Sequence, residues 1–380
     1  MQKKAIYLIQ EPGCLNPCSG AFQHISMGVK HLSSSFDLEV YLKSNKLDLL
    51  SYEKNALQTQ KNKTIKNSVV QGFIYGTLKD VQLFFMNLLG IKSLVKVFKR
   101  ENPDFVYERA SYLNFSGLIA CKYLGIPHFY EANGLQYKGR RRYYRSLFVG
   151  LAKYFERQTY LMSAHIFFVG SYGDFWKIKK RNWTNVENGI EKDCLIDIKD
   201  RGNNEREIIN ICFLGRLMDH QKIDVFIKAL EIFKNKHKIR INLIGSGLDS
   251  IESEIQNLNI QVVNHGFVDR SRVIRLLSEF DIAIISGSNS FQSCMKLFDY
   301  GAAGCAVIAP NTHNLKFWFG DELFFFNGNS DDLSNKLETL VNNENNLIYS
   351  FGEKLNLKIK GNFTWEAIFS QKVKIIKDHL

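Results

Sequence analysis

Short apolar runs recur along the chain, and each is followed by a turn and then by a stretch whose apolar positions fall three and four apart. The first is Lys3-Lys4-Ala5-Ile6-Tyr7-Leu8-Ile9-Gln10, ending at a Pro12-Gly13 turn. After it, Ser19 to Ser34 places apolar residues at 22, 25, 29 and 32 behind a small Gly20, the spacing of a helix with one buried face. The same alternation continues through Leu38–Leu42, Phe105–Tyr107, His128–Tyr130 and His165–Val169, with helical stretches between. Strand, loop and helix in repeated order predict a parallel, doubly wound α/β sheet.

The pattern restarts at Ile208, where Ile208–Leu214 is a continuous apolar strand ending in Gly215-Arg216. Further strands are expected at Ile239–Ile244, Gln261–Asn264, Ile282–Ile285 and Ala306–Ile308. At 380 residues the chain suits two domains rather than one core. The expected division is 1–188, 189–360 and a closing helix over 361–380 that crosses back onto the first domain. Glu191 to Arg206, a polar stretch, is the expected linker.

Composition narrows the class: 45% hydrophobic with 23% charged describes a folded protein. The opening strand is too short for the apolar core of a signal peptide. Val69 to Phe98 is interrupted by Lys79, Asp80, Lys92 and Lys96, so no bilayer-spanning segment is expected there. Seven cysteines, odd in number and scattered, predict free thiols and a cytoplasmic location. Cys14 and Cys18 lack a second pair, so no metal site is expected. Charge divides unevenly: residues 1–185 hold 27 Lys+Arg against 12 Asp+Glu, whereas 186–380 hold 23 against 26. All of the basic excess lies in the first half, which predicts an anionic partner for it.

In open α/β domains ligands sit beyond the carboxyl ends of strands, where helix N-termini aim amides at anions. Three segments of the second half would converge there. Gly215-Arg216-Leu217 and Lys222 bring a guanidinium and an ammonium past one strand, suited to a diphosphate. Gly245-Ser246-Gly247 ends another. Ser286 to Gly304 runs from a strand through a Gly/Ser-rich loop into Lys296-Leu297-Phe298-Asp299-Tyr300-Gly301-Ala302-Ala303-Gly304.

The order of these segments resembles the retaining GT-B glycosyltransferases of family four. The likeness rests on Gly215-Arg216-Leu217 with Lys222, His265-Gly266-Phe267-Val268, and Ser293-Cys294-Met295-Lys296-Leu297-Phe298-Asp299-Tyr300-Gly301-Ala302-Ala303-Gly304. Glu187-Asn188-Gly189-Ile190 and Trp365 in the closing helix extend it over nearly the whole chain. The resemblance implies two Rossmann-like domains facing across a cleft. It also implies transfer, with retention and without a metal or cofactor, from a UDP- or GDP-sugar substrate to a glycan or lipid-linked acceptor. Arg216 and Lys222 would neutralise the diphosphate. Asp299 would bind ribose hydroxyls, and the amides of Ser293, Cys294 and Met295 would hold phosphate oxygens beside Lys296. Gly215, Gly245 and Val268 would line the same donor site.

The departures are specific. Phe291 stands eight residues before Asp299, where the family commonly carries a Glu against the donor sugar. Asn133, at the end of Tyr130-Glu131-Ala132-Asn133-Gly134, stands where relatives often have a His; it can hydrogen-bond a sugar hydroxyl but cannot act as a base. Gly20, His24, Glu131 and Arg109 are the expected acceptor-side residues. A GT-B protein that binds the donor without turning it over, or a GT-B sugar-nucleotide epimerase, would share the fold. A dehydrogenase would not fit, because Gly13 to Gly20 lacks Gly-x-Gly-x-x-Gly spacing.

The run Lys138-Gly139-Arg140-Arg141-Arg142-Tyr143-Tyr144-Arg145 interleaves cations with tyrosines and suits the anionic headgroups on the inner face of the plasma membrane; nucleic acid would also accept such a patch, but the expected partner is the membrane and not nucleic acid. Each cation near such a surface contributes about 1 kcal/mol. Replacing Arg140, Arg141 and Arg142 with Ser should release the protein from anionic vesicles in co-sedimentation. Undiminished binding would refute the assignment.

Overall fold

The computed structural model describes residues 2–17, 19–60, 73–139, 146–179, 182–197, 207–342 and 346–380. Contacts divide the chain into two compact units, Met1–Val186 with Phe369–Leu380, and Glu187–Ile368.

The strands of the first unit are β1 (Lys4–Ile9), β2 (Asp37–Leu42), β3 (Asn45–Lys46), β4 (Phe105–Arg109), β5 (His128–Ala132), β6 (His165–Val169) and β7 (Trp183–Val186). They form one sheet in the order β3-β2-β1-β4-β5-β6-β7. Every neighbouring pair is parallel except β2 and β3, a short antiparallel edge pairing Tyr41 with Lys46 and Leu42 with Asn45. The helices are α1 (Gly20–Ser33), α2 (Leu49–Gln60), α3 (Phe73–Glu101), α4 (Ser116–Leu124), α5 (Gln136–Gly139), α6 (Val149–Met162) and α7 (Tyr172–Trp176). Ser19 starts α1 by accepting from the Phe22 amide at 3.1 Å, as an N-cap serine does. Leu94, Val97 and Phe98 of α3 and Cys121 of α4 cover Ile6, Leu8 and Val106 on one face of the sheet. On the other face Tyr7 and Tyr107 pack with ring centroids 5.3 Å apart, and Tyr107 stacks on Phe167 at 5.9 Å.

The second unit repeats the plan. Its strands β8 (Ile209–Leu214), β9 (Ile239–Ile244), β10 (Gln261–Asn264), β11 (Ile282–Ile284), β12 (Ala306–Pro310) and β13 (Phe324–Phe326) are all parallel, in the order β10-β9-β8-β11-β12-β13. Its helices are α8 (Ile223–Ile232), α9 (Asp249–Asn257), α10 (Arg270–Leu277), α11 (Met295–Ala302), α12 (His313–Phe319), α13 (Ser330–Asn342) and α14 (Asn346–Asn362), and α15 (Trp365–Asp378) closes the chain. Alternate residues of β8 face opposite cores: Ile211 and Phe213 meet α8, α9 and α13, while Cys212 meets α11 and α14. Burial on both faces is why β8, β11 and β12 read as largely apolar runs, whereas the edge strand β10 is half-exposed. Ile190 and Trp365, near the two ends of this unit, are tied by backbone bonds: Ile190 donates to Phe363 at 2.9 Å and Trp365 donates to Ile190 at 3.0 Å.

Residues 73–101 depart from the expectation for that segment. They form a single helix of 29 residues containing a window with mean hydropathy of 1.5, long and apolar enough to cross a bilayer, with 22% of that window buried. Lys79, Asp80, Lys92 and Lys96 do not break it, because they are spaced so that an 18-residue window with no more than two charges remains.

From Phe369 onward α15 belongs to the first unit. There the Lys372 ammonium is fully buried and donates to Glu131 Oε2 at 2.7 Å. Removing one partner of a buried ion pair leaves an uncompensated charge. Lys372→Met should therefore lower the unfolding free energy in urea by about 3 kcal/mol. A change under about 1 kcal/mol would show that the pair does not hold the helix.

Candidate functional site

In the second unit the chain reverses direction of travel across the sheet between β8 and β11, the place where such sheets open a crevice at their carboxyl ends. The loops after β8, β9 and β11 all end there. Gly215 follows β8 with φ +147°, and its amide donates to Ile244 at the end of β9 at 2.9 Å. Gly245, with φ +146°, lies so close behind that a Cβ on it would stand 2.0 Å from the Gly215 carbonyl oxygen. Only glycine lets the two strand ends meet. Arg216 and Lys222 are exposed just beyond, with Lys222 in a left-handed conformation, φ 45°, at the start of α8.

The third segment is tied to the same edge. Tyr300 of α11 accepts from the Leu214 amide at 2.8 Å, fixing the helix against the end of β8. Cys294 precedes α11 and Met295 opens it, and no side chain caps that end. Its first amides are thus available to an anion. Ser293 is buried and accepts from Asn188 Nδ2 at 2.7 Å. Lys296 turns inward: its Nζ is shielded from solvent, has no hydrogen-bond partner, and stands 4.8 Å from the centroid of the Phe213 ring. Burial pulls its pKa down. Asp299 is 2% exposed on the same helix, Val268 packs against the core beneath, and Phe291 lies 5.0 Å from His313, ring to ring. Gly215, Arg216, Lys222, Gly245 and the Ser293–Asp299 segment therefore share one edge of one sheet.

In the first unit the expected acceptor-side residues come together, but as a closed ionic cluster. Glu131 has no exposure, and Arg109 and His24 are 7% and 2% exposed. Around its carboxylate stand Lys372 Nζ at 2.7 Å, Tyr107 OH at 2.5 Å, His24 Nε2 at 3.0 Å, Arg109 Nη1 at 3.2 Å and Asn133 Nδ2 at 3.1 Å. Burial alone would raise the Glu131 carboxyl, but His24, Lys372 and Arg109 outweigh it and hold it well below the ordinary value. Burial also lowers His24, against the pull of Glu131. His24, Arg109 and Glu131 are placed in the interior, while Asn133, held by Glu131, stays partly exposed. Gly20 is exposed at the start of α1. Arg140, Arg141 and Arg142 lie outside the described residues.

Two participants were not singled out in the sequence. Lys372 falls at a core position among Trp365, Phe369 and Ile376, and a lysine on an otherwise apolar stripe was the available signal. Glu187 is fully buried and accepts from Asn314 Nδ2 at 2.8 Å and from the Asn188 amide at 3.1 Å, next to Ser293. Among the described residues no group of three or more His, Cys, Asp and Glu is placed to hold a metal ion.

Comparison with known proteins places this geometry. Residues 196–355 match the model for glycosyl transferases group 1. No curated protein sequence matches the chain. Among solved structures, Anabaena Alr3699/HepE in complex with UDP aligns with a TM-score of 0.69 at 13% identity, covering 99% of this chain and 100% of that one. A glycosyltransferase from Rickettsia africae ESF-5 aligns with a TM-score of 0.69 at 15% identity, covering 100% and 98%. The lipopolysaccharide outer core galactosyltransferase WaaB aligns with a TM-score of 0.67 at 13% identity, covering 99% and 100%. At these identities the likeness is one of fold. The two units have the Rossmann-like folds of a GT-B protein, and the second of them, with its glycine-bounded strand ends and the α11 N-terminus, is the part of the chain that matches the glycosyl transferases group 1 model.

Proposed function

We propose that this glycosyltransferase moves a hexosyl group, with retention and without a metal ion, from a uridine diphosphate sugar to a saccharide acceptor at an anionic membrane surface on the cytoplasmic side. The observation that carries the donor reading is the Lys296 ammonium, buried without a hydrogen-bond partner at the first turn of α11, on the edge that also bears Arg216 and Lys222. A buried cation with no counter-charge is costly unless an anion completes the site. A diphosphate supplies that charge, and HepE has been solved with UDP and with UDP-glucose. WaaB is a lipopolysaccharide galactosyltransferase and WaaG is involved in lipopolysaccharide biosynthesis, which supports a saccharide acceptor.

The chemistry needs no protein nucleophile. Fixed positive groups stabilise charge as it develops on the departing nucleoside diphosphate, and the acceptor hydroxyl attacks from the leaving-group side while the departing phosphate takes its proton. Asn133, held by Glu131, would orient a sugar hydroxyl. Asp299 would bind the ribose, and the amides of Cys294 and Met295 the phosphate.

Arg216→Ala should reduce kcat/KM for sugar transfer by about 10²–10³, on the scale of one lost oxyanion donor. Unchanged turnover of radiolabelled UDP-sugar would remove Arg216 from the donor site. A panel of nucleotide sugars in a thermal-shift assay should single out the uridine series by raising the melting temperature, since a ligand of the native state stabilises it by mass action.

A pH effect follows from Glu187. Burial pushes its pKa up to about 7, despite hydrogen bonds from Ser293, Asn314 and the Asn188 amide. A carboxyl raised in the folded state contributes fully when protonated and loses that contribution as pH rises from its ordinary value through about 7. Relative to Glu187→Gln, the parent should lose roughly 3 kcal/mol of unfolding free energy between pH 4.5 and 8. A difference that stays flat with pH would show that Glu187 ionises normally.

A further inference from the structure

The loop from Ser286 to Ser293 joins the end of β11 to the N-terminus of α11, and both of its ends are fixed at the β8–β11 edge. Ser286 Oγ donates to the Gln221 carbonyl at 2.6 Å, next to Lys222, and a Cβ on Gly287 would collide with the His220 carbonyl oxygen. At the other end Asn188 Nδ2 donates to Ser293 Oγ at 2.7 Å, just before Cys294 and Met295 begin the helix. The middle is tied to α12. The Asn314 amide donates to the Ser290 carbonyl at 2.7 Å, and the fully buried Asn314 side chain donates through Nδ2 to Glu187 Oε1 at 2.8 Å.

The amides and most hydroxyls of this loop are committed to protein partners. Asn289 Nδ2 donates to Gln292 Oε1 at 2.6 Å, and Ser286 and Ser293 are held at the two ends. Phe291 stands among them, partly exposed, with its ring centroid 5.0 Å from that of His313. His313 in turn stacks on Phe317 at 6.2 Å with 21° between the ring planes, and Phe317 is 52% exposed. The three rings form a row, two from α12 and one from the loop. At position 291 the loop therefore presents a carbon surface that its neighbours hold in place.

Three residues separate Phe291 from Cys294, so its Cα lies at most about 11 Å from the residue that precedes α11. A sugar joined to a diphosphate on the first amides of α11 is then within reach of the phenyl ring. An aromatic face receives C–H and methyl groups well, because it is apolar and its π face carries partial negative charge. It offers no partner to a hydroxyl, which would lose its water there without replacement. A carboxylate or amide side chain at the same point would favour the hydroxyl instead.

We infer that Phe291, held by His313 and by the bond from Asn314 to Ser290, selects a deoxysugar donor: a nucleotide sugar in which one hydroxyl of a common hexose is replaced by hydrogen, so that carbon faces the ring. This rests on the glycosyl-transfer reading and narrows the class of sugar transferred.

Titration calorimetry on the full chain with UDP, UDP-glucose and the 3-, 4- and 6-deoxy analogues of UDP-glucose tests the assignment. One of the analogues should bind about ten- to hundredfold tighter than UDP-glucose, the range over which an apolar pocket rejects an added hydroxyl. Phe291→Leu keeps an apolar side chain and should keep that preference. Phe291→Glu supplies a carboxylate and should reduce it at least tenfold, read as the ratio of the two dissociation constants within each variant. UDP affinity, measured alongside, reports whether the donor edge is intact. If UDP binds but UDP-glucose binds as tightly as every analogue, or if Phe291→Glu leaves the ratio unchanged, the specificity assignment is overturned and the donor reading stands. Loss of the preference in Phe291→Leu as well as in Phe291→Glu would trace it to the shape of the loop and overturn the assignment too. A protein that binds neither UDP nor any of the sugars loses the donor reading, and the deoxysugar assignment with it.

Discussion

Glu131 sits at the end of a central strand with no contact with water, and a carboxylate in that position is tolerated only when charges and hydrogen bonds replace its hydration. The replacements come from four parts of the chain: α1 supplies His24, β4 supplies Tyr107 and Arg109, the strand's own end supplies Asn133, and α15 supplies Lys372, 241 residues away. Lys372 ties the last turns of the chain to this carboxylate, together with Phe369 stacked on His31 at 5.7 Å and His379 against Phe129 at 5.8 Å. The same hub fixes Asn133, whose Nδ2 donates to Glu131 Oε1 at 3.1 Å.

The second unit meets a different constraint. Its strand ends approach so closely that Gly245 has room for no side chain, and α11 is pinned to β8 through Tyr300. That edge carries the uncapped N-terminus of α11, the buried ammonium of Lys296, and Arg216 and Lys222 at the surface, with the carboxyls of Asp299 and Glu187 buried beside them. The two units therefore handle buried cations differently: Lys372 pairs with Glu131, whereas the Lys296 Nζ has no hydrogen-bond partner.

Much of this was legible in the residues. Strands buried on both faces produce apolar runs, so β1, β4, β5, β6, β8, β9, β11 and β12 stood out, and the half-exposed β2 and β10 were legible from their shorter apolar stretches. The short strands β7 and β13 did not, because three or four residues at a sheet edge carry too little pattern. The glycine-bounded motifs marked the donor edge because glycine there answers a steric demand. Lys372 and Glu131 could not be paired from sequence, since periodicity reports which face a residue takes and not which distant residue it meets. The apolar character of residues 73–101 was not legible from a count of charges, because Lys79, Asp80, Lys92 and Lys96 are spaced widely enough for a window with mean hydropathy of 1.5 to remain.

Hydrogen–deuterium exchange with and without UDP locates the donor without relying on any substitution. Protection over residues 214–222 and 286–299, with the strands of the first unit unchanged, is the expected result. Absence of protection at those segments, or protection confined to the first unit, would contradict the assignment of the nucleotide to the β8–β11 edge.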